Sequence, residues 1–120
     1  RLDDAANWIP ARISVGLIAA GAQILSGRGR PALSTAVREG RRHTSPNAGF
    51  AEAAFAGALA VKLGGANRYG GKTVVKPSLG QRYGPVRAGD IRKARDLMVL
   101  SSLLTVAVMA ILILLLRRLT

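Results

Sequence analysis

The sequence predicts an all-α fold, a polytopic integral membrane segment of transmembrane or re-entrant helices joined by basic loops. Three observations carry that expectation. The segment Leu97–Leu116 is a 20-residue run with no charge, no Gly and no Pro. Hydrophobic residues make up 49% of the 120, and mean hydropathy is +0.24. Lys and Arg number 18 against 6 Asp and Glu, and they gather between the apolar stretches. Apolar segments alternating with basic connections are the pattern of a membrane protein.

The same arithmetic excludes several classes. A disordered basic tail lacks this apolar content. Aromatics are only 4%, too few for the stacking platforms of single-stranded nucleic-acid binders, so no nucleic-acid partner is expected. Without Cys there is no disulfide framework and no thiolate site. One His and six carboxylates make an all-protein zinc or di-metal cage unexpected. The chain begins at Arg1, within a motif, and is expected to be part of a longer polypeptide rather than a signal peptide with its mature domain.

The first helix is expected over about residues 8–25. Arg12 interrupts its apolar stretch, and the clean part, Ile13–Leu25, has 13 residues, short for a span. The expected start is near Pro10, which suits a first turn. Trp8 is placed as an interfacial anchor and Arg12 can snorkel to its level. Gly16 and Gly21 allow close helix contact.

The second helix is expected over residues 46–64. It is Ala-rich, with Glu52 and Lys62, and Gly49, Ala53 and Gly57 form one small-residue stripe at i, i+4, i+8. Such a helix is expected to be buried against others or to be re-entrant. The third helix, residues 91–118, contains the long apolar run. At ~1.5 Å per residue that run spans roughly 30 Å, the thickness of a hydrocarbon core. Asp90 is the expected N-cap.

Residues 26–45 and 65–90 are expected to be loops. Five cations fall in 26–47 and eight in 65–96, and the positive-inside rule places both stretches on the cytoplasmic side of a multi-pass protein of the cell (inner) membrane.

Three constellations are candidates for chemistry. The first is Asp3, Asp4, Asn7 and Arg12 beside the first apolar helix. It reads either as a solvated interfacial flank or as a Mg²⁺ site, since Mg²⁺ on a nucleotide needs only one or two carboxylates. The second is His43-Thr44-Ser45-Pro46-Asn47-Ala48-Gly49, followed by Glu52 and preceded by Arg41 and Arg42. Ser45 or Asn47 caps a helix whose first N–H groups can seat phosphate, or the segment is only a well-capped helix. Glu52, a carboxylate at membrane depth, is the more telling residue. The third is Gly64-Gly65-Ala66-Asn67-Arg68-Tyr69-Gly70-Gly71-Lys72. It reads as a backbone phosphate cradle or as a helix C-cap with a flexible loop.

Together the second and third constellations carry a family resemblance. The 27-residue run SPNAGFAEAAFAGALAVKLGGANRYGG, Ser45–Gly71, resembles the CobD/CbiB family of adenosylcobinamide-phosphate synthases. The opening LDDAANWIPARI and the final apolar helix resemble that family as well. The chain departs from it at Phe50-Ala51, where the family commonly has Trp-Pro, and at Phe55, where it commonly has Met. The resemblance covers essentially the whole chain and implies residues 1–120 of the C-terminal part of a single membrane domain. The implied reaction joins the propionate carboxylate of adenosylcobyric acid, a corrinoid, to aminopropanol or its phosphate. ATP and Mg²⁺ are the implied energy source. The implied partners are those substrates, the N-terminal remainder of the same protein and other membrane enzymes of late cobalamin assembly. A non-catalytic AmpE-like membrane regulator is the alternative.

Residue chemistry then suggests roles. Asp3, Asp4, Glu52 and His43 are the catalytic candidates, as proton acceptors or, for Asp3 and Asp4, Mg²⁺ ligands. Arg12, Arg41, Arg42, Arg68 and Lys72 are candidates for phosphate. Ser45, Asn47, Gly49, Gly65, Asn67 and Tyr69 complete the candidate binding set.

Overall fold

The computed structural model describes residues 2–42 and 46–120. Its elements run α1 (Leu2–Ser26), α2 (Gly29–Glu39), a 3₁₀ turn (Gly40–Arg42), α3 (Pro46–Leu59), β1 (Leu63–Tyr69), β2 (Lys72–Leu79) and α4 (Ala88–Leu119). Helix predominates, but the hairpin β1–β2 corrects the all-α expectation.

Helix α1 starts eight residues before Pro10, which lies inside it. The early start suits Asp3, Asp4 and two alanines, because carboxylates favour a helix N-terminus and Ala has the best propensity. Pro10 offers no N–H to the carbonyl of Ala6. At the other end Gly27 turns with φ +70. The N–H groups of Gly27 and Arg28 bond back to the carbonyls of Gln23 and Ala22.

The expected loop 26–45 is mostly helix α2. Its buried residues Gly29, Ala32, Thr35, Ala36 and Glu39 follow helical spacing, but they are small or polar, so the periodicity carries little hydrophobic contrast. Helix α2 packs antiparallel on α3. Gly57 faces the carbonyl of Pro31, and a Cβ there would fall 2.6 Å from Thr35 Oγ1. At the other end of the pair, a Cβ on Gly40 would lie 2.7 Å from the Phe50 ring. The expected stripe is therefore a packing stripe, with Gly49, Ala53 and Gly57 all buried. Val15, Ile18 and Ala22 of α1, Ala32 and Ala36 of α2, and Ala53 to Ala58 of α3 supply most of the core. Alanine on three facing helices lets their backbones approach closely.

Helix α3 ends at Leu59 rather than continuing to 64. Ala60 takes φ 54, a left-handed conformation that costs a non-Gly residue about 1–2 kcal/mol, and Val61 N–H bonds to the carbonyl of Ala56. The chain then enters the antiparallel hairpin, with Tyr69 opposite Lys72. Gly70 and Gly71 form the two-residue turn with φ 55 and 81, the positive values that a type I′ hairpin turn demands. Part of the expected loop 65–90 is thus β-ladder. Its base rejoins the helices at Gly80, whose φ is +74 and which lies against the carbonyl of Val61.

Helix α4 begins at Ala88, with Arg87 as N-cap. Asp90 is not the cap; it stands three residues on and its Oδ2 accepts the Arg87 N–H at 2.8 Å, the reciprocal half of a capping box. Leu97 and Ser101 pack on Gly21 of α1, and every residue from Thr105 to Thr120 is exposed. Two helices, Trp8–Ser26 of α1 and α4, are long and apolar enough to cross a membrane. The most apolar window of α4 is only 6% buried, so the described residues do not wrap it as they would a core helix.

Candidate functional site

The structure brings the first two constellations together through an aromatic stack. The Arg12 guanidinium lies 4.5 Å from the centre of the Trp8 ring on its own helix. It also lies 4.1 Å from the Phe50 ring, in the first turns of α3. Trp8 and Arg12 are four apart, so α1 presents them on one face. Phe50 in turn packs on Gly40, where no side chain could fit without displacing the ring. Arg12 is half-buried and its planar cation lies within cation–π range of both rings. Neither solvation nor simple snorkelling describes it.

Around this stack the described candidates are arranged as follows. Arg41 and Arg42 are exposed on the 3₁₀ turn between α2 and α3. Arg42 Nη1 lies 4.0 Å from Glu39 Oε1. Gly49 is buried in the first turn of α3, and Glu52 is exposed just beyond it. Helix α3 begins at Pro46, the first-turn position expected for that proline. His43 and Ser45 lie outside the described residues, as do the side chains of Asp3, Asp4 and Asn47. Among the described residues no group of three or more His, Asp or Glu side chains is placed to hold a metal ion.

The third constellation is not a loop cradle. Gly65, with φ +87, sits at the bulged start of β1, and Lys72 is exposed beside the turn. Asn67, Arg68 and Tyr69 are strand residues of β1, and their side chains lie outside the described set. A Cβ at Gly70 or Gly71 would meet nothing within 4 Å, so the tip projects from the helices.

Two residues that sequence reasoning missed anchor the base of this hairpin and the end of α3. Glu39 is buried, and its Oε1 accepts the N–H groups of Gly80 at 3.1 Å and Gln81 at 3.3 Å. Arg28 donates from Nε and Nη2 to the carbonyls of Gly57 and Ala58, at 2.9–3.2 Å, closing the C-terminal end of α3. Its guanidinium also lies 5.6 Å from the Tyr83 ring. In sequence Arg28 is one of five similar cations and Glu39 one carboxylate beside Arg38 and Arg41, so neither stands out as an anchor.

The profile of the family described as CobD/Cbib protein matches residues 1–98. The chain is 42% identical over 111 residues to the cobalamin biosynthesis protein CobD of Yersinia enterocolitica, covering 92% of this chain and 35% of that protein. It is 44% identical to the protein of that name from Geobacter metallireducens, over 92% of this chain and 35% of the relative. With that of Mycobacterium tuberculosis the identity is 45%, over 78% of this chain and 30% of the relative. The chain thus spans about a third of the length of the curated relatives it matches. No solved structure matches it. A profile match to residues 1–98, with relatives above 40% identity over 92% of the chain, establishes that the chain belongs to the CobD/CbiB family.

Proposed function

We propose that this segment contributes to a membrane-bound step of cobalamin biosynthesis. In that step an amide bond forms between the propionate carboxylate of adenosylcobyric acid and the amine of aminopropanol or its phosphate. The support is family membership together with one observation: the Arg12 stack fastens the α1 constellation to the start of α3. Helices α1 and α4 cross the membrane in this reading, and the cationic stretches 26–47 and 65–96 are open to the cytoplasmic side.

Amide formation from a carboxylate and an ammonium releases water and needs the carboxylate oxygen converted into a leaving group. ATP with Mg²⁺ would supply that conversion. A magnesium ion carried on phosphates needs only one or two protein carboxylates, and Asp3 and Asp4 are the candidates for them. The chain's own residues suit the remaining tasks. Arg41 and Arg42 neutralise phosphate charge beside the α3 N-terminus. Glu52, exposed beyond that turn, accepts the proton the amine must lose before it attacks.

The test is complementation. The full-length gene is placed in a cobalamin auxotroph lacking this step and fed cobyric acid. Growth is expected, and Glu52→Ala should abolish it while the protein still inserts in the membrane. Rescue by cobinamide but not by the wild-type gene, with the protein present, would refute the assigned reaction. Undiminished growth on Glu52→Ala would remove Glu52 from it.

A further inference from the structure

The inference concerns how deep the joined constellations lie, and it rests on the membrane placement proposed above. Helix α4 contains one uncharged run of bilayer length, Leu97–Leu116, whose centre falls between Val106 and Ala107. Helix α1 runs antiparallel to it. Gly21 meets Leu97 and Ser101, and Ser14 shares a groove with Ser102 and Thr105. Arg12 lies roughly nine residues, about 14 Å, back along α1 from Gly21. Counting the same rise along α4 brings Arg12 level with about Val108, within one turn of the centre of the run. Phe50 is stacked on Arg12, and Gly40 is packed on Phe50. The far ends of α2 and α3 lie elsewhere: Gly29 packs on Ala19 and Gln23, and Ala58 shares a pocket with Ala22, Lys93 and Leu97. Those contacts stand at the level where α4 enters its apolar run.

We infer that α2 and α3 form a re-entrant helical hairpin whose corner, at Gly40–Arg42 and the start of α3, stands near the bilayer midplane and faces a water-filled vestibule. The vestibule opens on the side from which α4 enters. Arg41, Arg42 and Glu52 are exposed at this corner. Ionised side chains at that depth are retained where they line water or protein and not where they meet lipid. The backbone agrees, because a 3₁₀ turn is tolerated at membrane depth only away from lipid. Helix α4 itself meets the lipid, since Val106, Ile111, Leu112 and Leu115 are all exposed along its apolar run. An anionic, water-soluble substrate therefore reaches the Arg12 level from one side without crossing the hydrocarbon.

The test uses the full-length protein in a cysteine-free background, reconstituted in phosphatidylcholine–phosphatidylglycerol liposomes. Nitroxides are placed at Val106, Arg41 and Ala48, and their collisions with oxygen and with a water-soluble nickel chelate are measured. Val106 should show high oxygen and low nickel exposure; Arg41 and Ala48 should show the reverse. A Ser14→Cys/Thr105→Cys pair should be joined by a short bismaleimide cross-linker, which checks the level of α1 against α4. Arg41→Cys and Ala48→Cys should react with an impermeant cationic thiol reagent from the same side as Val86→Cys. A Val106 label in water or at the interface overturns the membrane placement itself. Failure of the cysteine pair to cross-link in folded protein overturns the depth. With Val106 at the midplane, lipid-like exposure at both Arg41 and Ala48, or reaction only from the Thr120 side, overturns the vestibule alone.

Discussion

Glu39 offers the sharpest test of how the glycine-rich hairpin is held. One carboxylate oxygen receives the buried N–H of Gly80 at 3.1 Å and the partly buried N–H of Gln81 at 3.3 Å. A hydrogen bond to a charged group contributes about 1.5–3 kcal/mol net, and the longer, partly hydrated bond is worth about 1 kcal/mol. Glu39→Ala removes both bonds and leaves the Gly80 N–H buried without its acceptor, an expected cost of about 2–4 kcal/mol. Glu39→Gln keeps a carbonyl oxygen at nearly the same place. It loses the charge, and neutral bonds are about half as strong, so the expected cost is about 1–2 kcal/mol. The difference is measurable as thermal inactivation of the full-length protein in detergent, with trypsin cleavage at Lys72 and Arg82 as a local readout. Cleavage should accelerate in Glu39→Ala well beyond Glu39→Gln. Equal effects of the two substitutions, or none from either, would refute the acceptor argument. The Arg42 ion pair at 4.0 Å is half-exposed and contributes little, so Arg42→Ala serves as the control.

Gly57→Ala places a methyl against the Pro31 carbonyl and the Thr35 hydroxyl, so α2 and α3 must separate; overpacking of this kind costs about 1–3 kcal/mol, read as a lower thermal midpoint. Arg12→Lys keeps the charge and loses the planar stack on Trp8 and Phe50, and complementation should weaken although insertion is normal. Full growth at low expression would show that the stack is not needed. Gly71→Val forces a β-branched residue to φ 81 at the hairpin turn, so the hairpin should become more trypsin-sensitive while α1 and α4 insert as before.

Helix positions were legible where chemistry was loud. The uncharged run of α4, the alanine-rich α3 and the Gly49–Ala53–Gly57 stripe all appear as their composition foretells. Helix α2 was hidden because Ala32, Thr35 and Ala36 bury themselves by being small, and a hydrophobicity pattern registers no contrast between small residues and a polar loop. The hairpin was hidden for a different reason. Gly70-Gly71 followed by Lys72-Thr73-Val74-Val75 is a turn followed by a β-branched run, but the glycine-rich sequence before it reads equally as loop. The Asp90 cap failed by one turn because an acidic residue favours both the N-cap and the third helical position. Of the candidate site, the sequence gives the residue types in separate segments. That Arg12 and Phe50 touch across 38 positions is a tertiary fact, set by the antiparallel return of α2 and the glycine at 40.

That contact also explains how so polar a corner is compatible with so apolar a chain. A guanidinium in the middle of an apolar helix is costly when it must reach water alone. Here two rings lie within cation–π range of it, and that attraction offsets part of the cost. Phe50 can occupy that place only because residue 40 has no side chain, and residue 40 is the point where α2 stops and the cationic turn begins. Arg12, Phe50 and Gly40 therefore act as one joint. The joint fixes the level of Arg41, Arg42 and the first turn of α3 against α1, and α1 is fixed against α4 by Gly21. A substitution at Gly40 should consequently injure the corner without touching any charged residue. Gly40→Ala is expected to displace Phe50 and uncouple Arg12. The loss should appear as greater thiol reactivity of a cysteine at Ala48 and as weaker complementation. Unchanged reactivity with intact growth would show that the corner is held by something other than this joint.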